Sequence, residues 1–152
     1  MSGHTIVRKH GRWTYGTATL RARGTMRRAL LHTDAGDFEL TPADRHCLGV
    51  VARAGGRPVV ALQTSGARVP GPGPQARWSL GRHSATLTRG ADRIEVRSGW
   101  RGARLRVEVT GDWAEPELVV LTACFAVLSR RRQRLLTAMV IAAVTSPGGR
   151  PH

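Results

Sequence analysis

Ser84-Ala-Thr-Leu-Thr-Arg-Gly-Ala-Asp-Arg-Ile-Glu-Val-Arg-Ser98 alternates apolar and polar residues in two runs, with a glycine-containing turn between them. Ala85 and Leu87 fall on one side of the first run, and Ser84, Thr86 and Thr88 on the other. In the second, Ile94 and Val96 oppose Arg93, Glu95 and Arg97. A period of two belongs to a strand with one dry and one wetted face. Gly90, in Arg89-Gly-Ala-Asp92, supplies the positive φ that a tight turn uses. After Ser98-Gly-Trp-Arg-Gly102 the pattern returns, with Leu105, Val107 and Val109 facing away from Arg104, Arg106 and Glu108. Residues 78–110 therefore predict an antiparallel meander, apolar on one side and basic on the other.

Upstream, Leu48-Gly-Val-Val-Ala and Val59-Val-Ala-Leu flank Arg53-Ala-Gly-Gly-Arg57 and read as a hairpin. Residues 14–21, 29–32 and 38–40 predict further strands, the last two joined across Asp34-Ala-Gly-Asp37. The expected total is about eight strands. Val69-Pro-Gly-Pro-Gly-Pro74 cannot hold a ladder and predicts a mobile surface loop, not a domain linker.

Downstream the pattern changes. Asp112-Trp-Ala-Glu115 has the spacing of a capping box, and Pro116 suits a first helical turn, so a helix is expected to begin here. From residue 118 to 128 the chain reads Leu-Val-Val-Leu-Thr-Ala-Cys-Phe-Ala-Val-Leu, with Thr122 its one polar side chain. A helix with no polar face has to be surrounded on all sides. Lipid is a poor surround, since these eleven residues reach about 16 Å against a hydrocarbon core of about 30 Å. Extending through the second apolar run, 135–144, would place Arg130, Arg131, Arg132 and Arg134 near mid-bilayer, at roughly 2.5–3.5 kcal/mol each. A short helical hairpin dipping into one leaflet, arginines at the head groups, is the lipid alternative that survives. The favoured surround is protein: a mainly β fold, an antiparallel β-barrel of short strands enclosing the hydrophobic C-terminal α-helix at 117–128.

The chain has 152 residues, which fits one domain. We place it at residues 1–145, with a second apolar helical segment at 135–144 and a disordered tail at 146–152. Hydrophobic residues at 41% exclude a disordered chain, and 18 Gly with 8 Pro disfavour a helical bundle. Lys plus Arg number 24 against 10 acidic residues, a net charge of +14, so polyanions and anionic membranes are attracted. Lys9 is the one lysine and asparagine is absent, an arginine-rich skew that a GC-rich coding genome also produces. Cys47 and Cys124 lie far apart and imply no disulfide framework. The first residues lack a signal-peptide core, so a cytoplasmic location, peripheral at a membrane, is expected.

The short strands, the segment Leu105-Arg-Val-Glu-Val-Thr-Gly-Asp-Trp113 and the apolar helix that follows at once resemble the tubby C-terminal-like group, which includes the LURP-one-related proteins and the phospholipid scramblases. The resemblance covers residues 14–128. It implies a closed antiparallel barrel threaded by a hydrophobic helix, and a non-enzymatic module that works at membranes or as an interaction domain. The chain is shorter than a typical member and adds the run at 135–144. It carries no acidic calcium-binding segment of the scramblase kind and no lysine–arginine pair matching the tubby phosphoinositide site, so those functions are not carried over.

Catalytic chemistry has little to stand on. His4, His10, His32, His46, His83 and His152 show no zinc-site spacing with the cysteines, and His46-Cys47 reads as a turn histidine beside a buried thiol. Glu95 and Glu108 lie among arginines, where cross-strand ion pairs are expected. Gly71 and Gly73 alternate with prolines, which a phosphate loop does not tolerate. Neither metal, cofactor nor enzymatic activity is expected. The candidate anion-binding residues are Arg130, Arg131, Arg132 and Arg134, beside the apolar helix, with Arg93, Arg97, Arg104 and Arg106 as a secondary basic face. The first cluster either caps a helix C-terminus or binds anionic phospholipid, directly or through a membrane-bound partner. A nucleic-acid-binding barrel using Trp13, Trp78 and Trp100 as stacking platforms is one alternative. A small-ligand-binding barrel is another, and Trp113 is expected to plug the barrel end by the helix start.

Overall fold

The computed structural model describes residues 2–22, 27–99 and 104–145. The proposed tail at 146–152, Trp100 and most of the turn before Arg104 lie outside the described residues.

The meander forms as its alternation dictates: β8 (Arg77–Leu80), β9 (Ser84–Arg89), β10 (Asp92–Ser98) and β11 (Arg104–Thr110). They pair antiparallel in order, and an N-terminal strand, β1 (Ser2–Val7), completes a five-stranded sheet by pairing with β11. Ala85, Leu87, Ile94, Val96, Leu105 and Val107 are buried, and the arginine side is wet. The second sheet runs in chain order: β2 (Arg12–Tyr15), β3 (Ala18–Ala22), β4 (Ala29–Thr33), β5 (Gly36–Pro42), β6 (Val50–Ala54) and β7 (Arg57–Leu62).

Three expectations change. The run 14–21 is not one strand, because Gly16, at φ 60°, turns the chain back and makes a hairpin of β2 and β3. Strand β1 carries a weak pattern, with Ile6 buried and residues 3–5 and 7 exposed, and draws its stability from the β11 edge. There are thus eleven strands among the described residues where about eight were expected. The two sheets also do not join into one closed ladder. Where the chain passes between them, at β1 to β2 and at β7 to β8, single bridges stand in place of ladders: Lys9 with Arg12, Ala61 with Arg68, and Ala67 with Ala76.

The helix, α1 (Pro116–Thr145), packs against strands of both sheets. Its first helical bond runs from the Val119 N–H to the Glu115 carbonyl at 3.2 Å, so Glu115 takes the N-cap position and the Asp112 capping box does not form. Pro116 opens the helix as expected. Every residue from 118 to 129 is at most 5% exposed. Thr122 donates its hydroxyl to the Leu118 carbonyl at 2.6 Å, which satisfies the one polar group in the apolar run. Protein is thus the surround of this half. The two apolar runs do not form separate segments: 117–128 and 135–144 lie on one continuous helix of 30 residues. No helix among the described residues is long and apolar enough to cross a membrane.

Arg89 is the exception to the sheet pattern. It is 6% exposed, donates to the Gly71 and Pro70 carbonyls at 3.1 Å each, and lies 5.5 Å from the Trp113 ring centroid. Trp113 is buried and donates to the Thr110 carbonyl, at the helix entrance as expected. The proline–glycine loop is therefore latched rather than free, and a Cβ at Gly73 would approach Arg89 Nε to 3.1 Å. Arg89→Ala is expected to cost about 2–4 kcal/mol, the sum of two charge-assisted hydrogen bonds and a cation–π contact less the relief of a buried charge. Trypsin cleavage after Arg68 should accelerate in that variant. Unchanged cleavage and melting would show that the latch contributes nothing.

Both thiols sit in the interior. Burial pushes Cys124 far above the ordinary 9.0, and pushes Cys47 up as well, with Arg27 and Arg130 opposing the rise. The folded state holds both thiols neutral, so stability is intact below pH 9 and falls as pH rises past the unfolded value, where only the unfolded chain ionises. Ellman's reagent is expected to find no reactive Cys124 in native protein at mildly alkaline pH, and to find it on denaturation.

Candidate functional site

The basic cluster on the helix sits where α1 leaves the space between the sheets. Ser129 is buried, Arg130 and Arg131 are half-buried, Arg132 is exposed and Arg134 is half-buried. Arginine fits such a boundary because its stem packs against apolar neighbours while the guanidinium reaches polar groups. Arg130 Nη1 donates to the His46 carbonyl at 2.7 Å, on the loop between β5 and β6. Arg131 Nη1 donates to the Gly99 carbonyl at 3.1 Å, just after β10. One arginine thus ties the helix to each sheet. The Arg132 and Arg134 side chains make no ion pair or hydrogen bond among the described residues. A depression of about 370 Å³ beside this collar is lined by His83, Ser98, Gly99 and Arg131.

The loop that receives Arg130 has its own strain. Cys47 is buried at φ 56°, and Asp44 Oδ1 accepts from the His46 N–H at 2.8 Å. His46 stays exposed, so the adjacent pair diverges. Among the described residues, His, Cys, Asp and Glu side chains form no group of three suited to a metal ion.

The secondary face is positioned by the meander register, which sets Arg97 opposite Arg106 and Glu95 opposite Glu108. Like charges therefore face one another across β10 and β11, and the expected cross-strand ion pairs do not form among the described residues. The pairs run along each strand: Arg93 to Glu95 at 2.7 Å, Arg97 to Glu95 at 3.0 Å and Arg106 to Glu108 at 3.4 Å. Three of the four arginines are partly neutralised, while Arg104 makes no ion pair among the described residues. This face adjoins the collar through Gly99, whose carbonyl accepts from Arg131 and whose N–H donates to the Arg104 carbonyl at 3.2 Å. The sequence separates the two basic groups by more than twenty residues; the sheet end brings them to one place.

What sequence reading missed is the state of the distal helix. Leu135, Met139, Val140 and Ile141 are 52%, 68%, 62% and 55% exposed. The residues before the collar and those after it are equally apolar, and only the ends of the strands decide which half is covered. The nucleic-acid alternative loses two platforms, because Trp13 and Trp78 are 1% and 5% exposed and face the core. Trp100 lies outside the described residues. A ligand inside the fold would compete with Val120, Leu121, Cys124 and Phe125, all 0% exposed, for the space between the sheets.

The architecture defines a class in coarse terms: a mainly antiparallel β protein of two sheets, with one C-terminal helix packed on both. Comparison with protein-family models, with curated proteins and with solved structures finds no match for this chain.

Proposed function

We propose that this protein is a non-enzymatic module that docks on anionic phospholipid membrane through the arginine collar of α1. The observation that carries the reading is positional. Four arginines ring the helix where it emerges, two of them without protein partners among the described residues, and an exposed apolar stretch follows at once. Phosphate head groups complement such a ring, and each basic residue near an anionic surface contributes about 1 kcal/mol. Arg104 and the pair Arg97 and Arg106 extend the same charge along the neighbouring sheet. In this reading the protein is tubby-like, as its order of elements implies, and the two sheets with their bridged seams serve as the barrel that wraps the helix. A nucleic-acid role draws support from net charge alone.

Flotation with phosphatidylcholine vesicles, with and without phosphatidylserine, tests the proposal. Binding should require the anionic lipid and persist at physiological salt. Flotation indifferent to anionic lipid, or none at physiological salt, would overturn it. Sequence-selective DNA or RNA binding at physiological salt would favour the nucleic-acid alternative.

A further inference from the structure

We infer that the distal half of α1 is a shallow hydrophobic anchor, seated in the head-group and outer acyl region of an anionic phospholipid leaflet. The inference rests on the docking proposed above and adds a second, non-electrostatic contact to it. Leu135, Met139 and Val140 are each more than half exposed on a helix whose residues 118–129 are covered. Burying such side chains is the strongest available driving force for a surface of this kind.

The occupant follows from charge and shape. A second copy of the chain would bring two arginine collars together if the helices ran parallel, and would cover the apolar stretches but leave both collars without counter-charge if they ran antiparallel. A leaflet with anionic head groups meets both parts at once, phosphates at the collar and acyl chains beyond it. Residues 135–143 carry Thr137 as their one polar side chain, so no face of this stretch requires water.

The depth is also bounded. The chain continues Ser146-Pro-Gly-Gly-Arg150, which has no place in the bilayer centre, and the last helical carbonyls need polar partners. End-on insertion to the midplane is therefore excluded. An oblique helix with its apolar side chains about 5–10 Å below the head groups satisfies both limits.

The test is an environment-sensitive fluorophore on Met139→Cys, with Ser65→Cys on an exposed turn as the reference position; both native cysteines are buried. With phosphatidylserine-containing vesicles the Met139 label should brighten several-fold and shift to the blue. Spin-labelled lipid should quench it more strongly when the spin label lies near the head group than near the chain end. The Ser65 label should not change. Val140→Asp should weaken the salt-resistant part of binding by roughly tenfold while leaving the fold intact, since Val140 is exposed. If the protein floats with anionic vesicles but the Met139 label stays in water, the anchor is wrong and docking by the collar stands. A blue shift without lipid that grows with protein concentration would show that a second copy covers this surface, and would overturn the anchor. Failure to bind vesicles of any composition would overturn both the anchor and the docking on which it rests.

Discussion

Phe125→Asp is expected to yield no folded protein. Phe125 is 0% exposed at the middle of the covered half of α1, with Leu121, Cys124 and Leu128 beside it in the same core. Removing the ring forfeits about 3–5 kcal/mol in transfer and cavity terms. The new carboxylate then has to be buried ionised, at a cost of several kcal/mol, or neutralised by taking up a proton. The sum is comparable to the roughly 5–15 kcal/mol by which a domain of ordinary size is stable. Phe125→Leu is the control, expected to fold with a loss on the order of 1–2 kcal/mol. The comparison is soluble yield and the far-ultraviolet circular dichroism melt. A Phe125→Asp protein that remains soluble with a native melt would mean that the helix is not the core.

The double variant Arg132→Gln with Arg134→Gln is expected to weaken partitioning onto phosphatidylserine vesicles by roughly 30-fold at physiological salt. Two charges at about 1 kcal/mol each give about 2 kcal/mol, and 1.4 kcal/mol is a factor of ten. These two are the informative pair because Arg130 and Arg131 hold backbone carbonyls of the two sheets. Substituting all four would confuse lost lipid contact with a loosened helix. The melt of the double variant should stay within about 0.5 kcal/mol of the parent, as for other surface changes. The matching change at Arg93 and Arg97 should matter less, since both already pair with Glu95. Partitioning unchanged in the first variant would remove the collar from the site.

Much of the fold was legible because its signal is local. Alternation at 84–98 and 104–110 needs only the period of a pleated strand, and the covered helix needs only the absence of a polar face between 118 and 128. The site residues were legible as charge, but not their use. Nothing near Arg130 or Arg131 in the chain announces a carbonyl partner, because His46 and Gly99 are supplied by distant loops. The same holds for Arg89, which the alternation sets on the side of Ala85 and Leu87, but whose partners, Trp113 and the proline–glycine loop, come from distant parts of the chain. The hairpin at Gly16 was hidden for a different reason: residues 14–21 alternate well enough on both sides of the turn to read as one strand.

The sequence by itself determined that this chain makes an antiparallel, basic-faced meander and a helix that needs a protein coat, since side-chain period and polarity act over a few residues. Tertiary structure decided how far that coat reaches. The two apolar halves of α1 are alike in composition, yet one is enclosed by two sheets and the other is exposed beyond a ring of arginines. Burial is a property of what else occupies the space, and no local pattern records it.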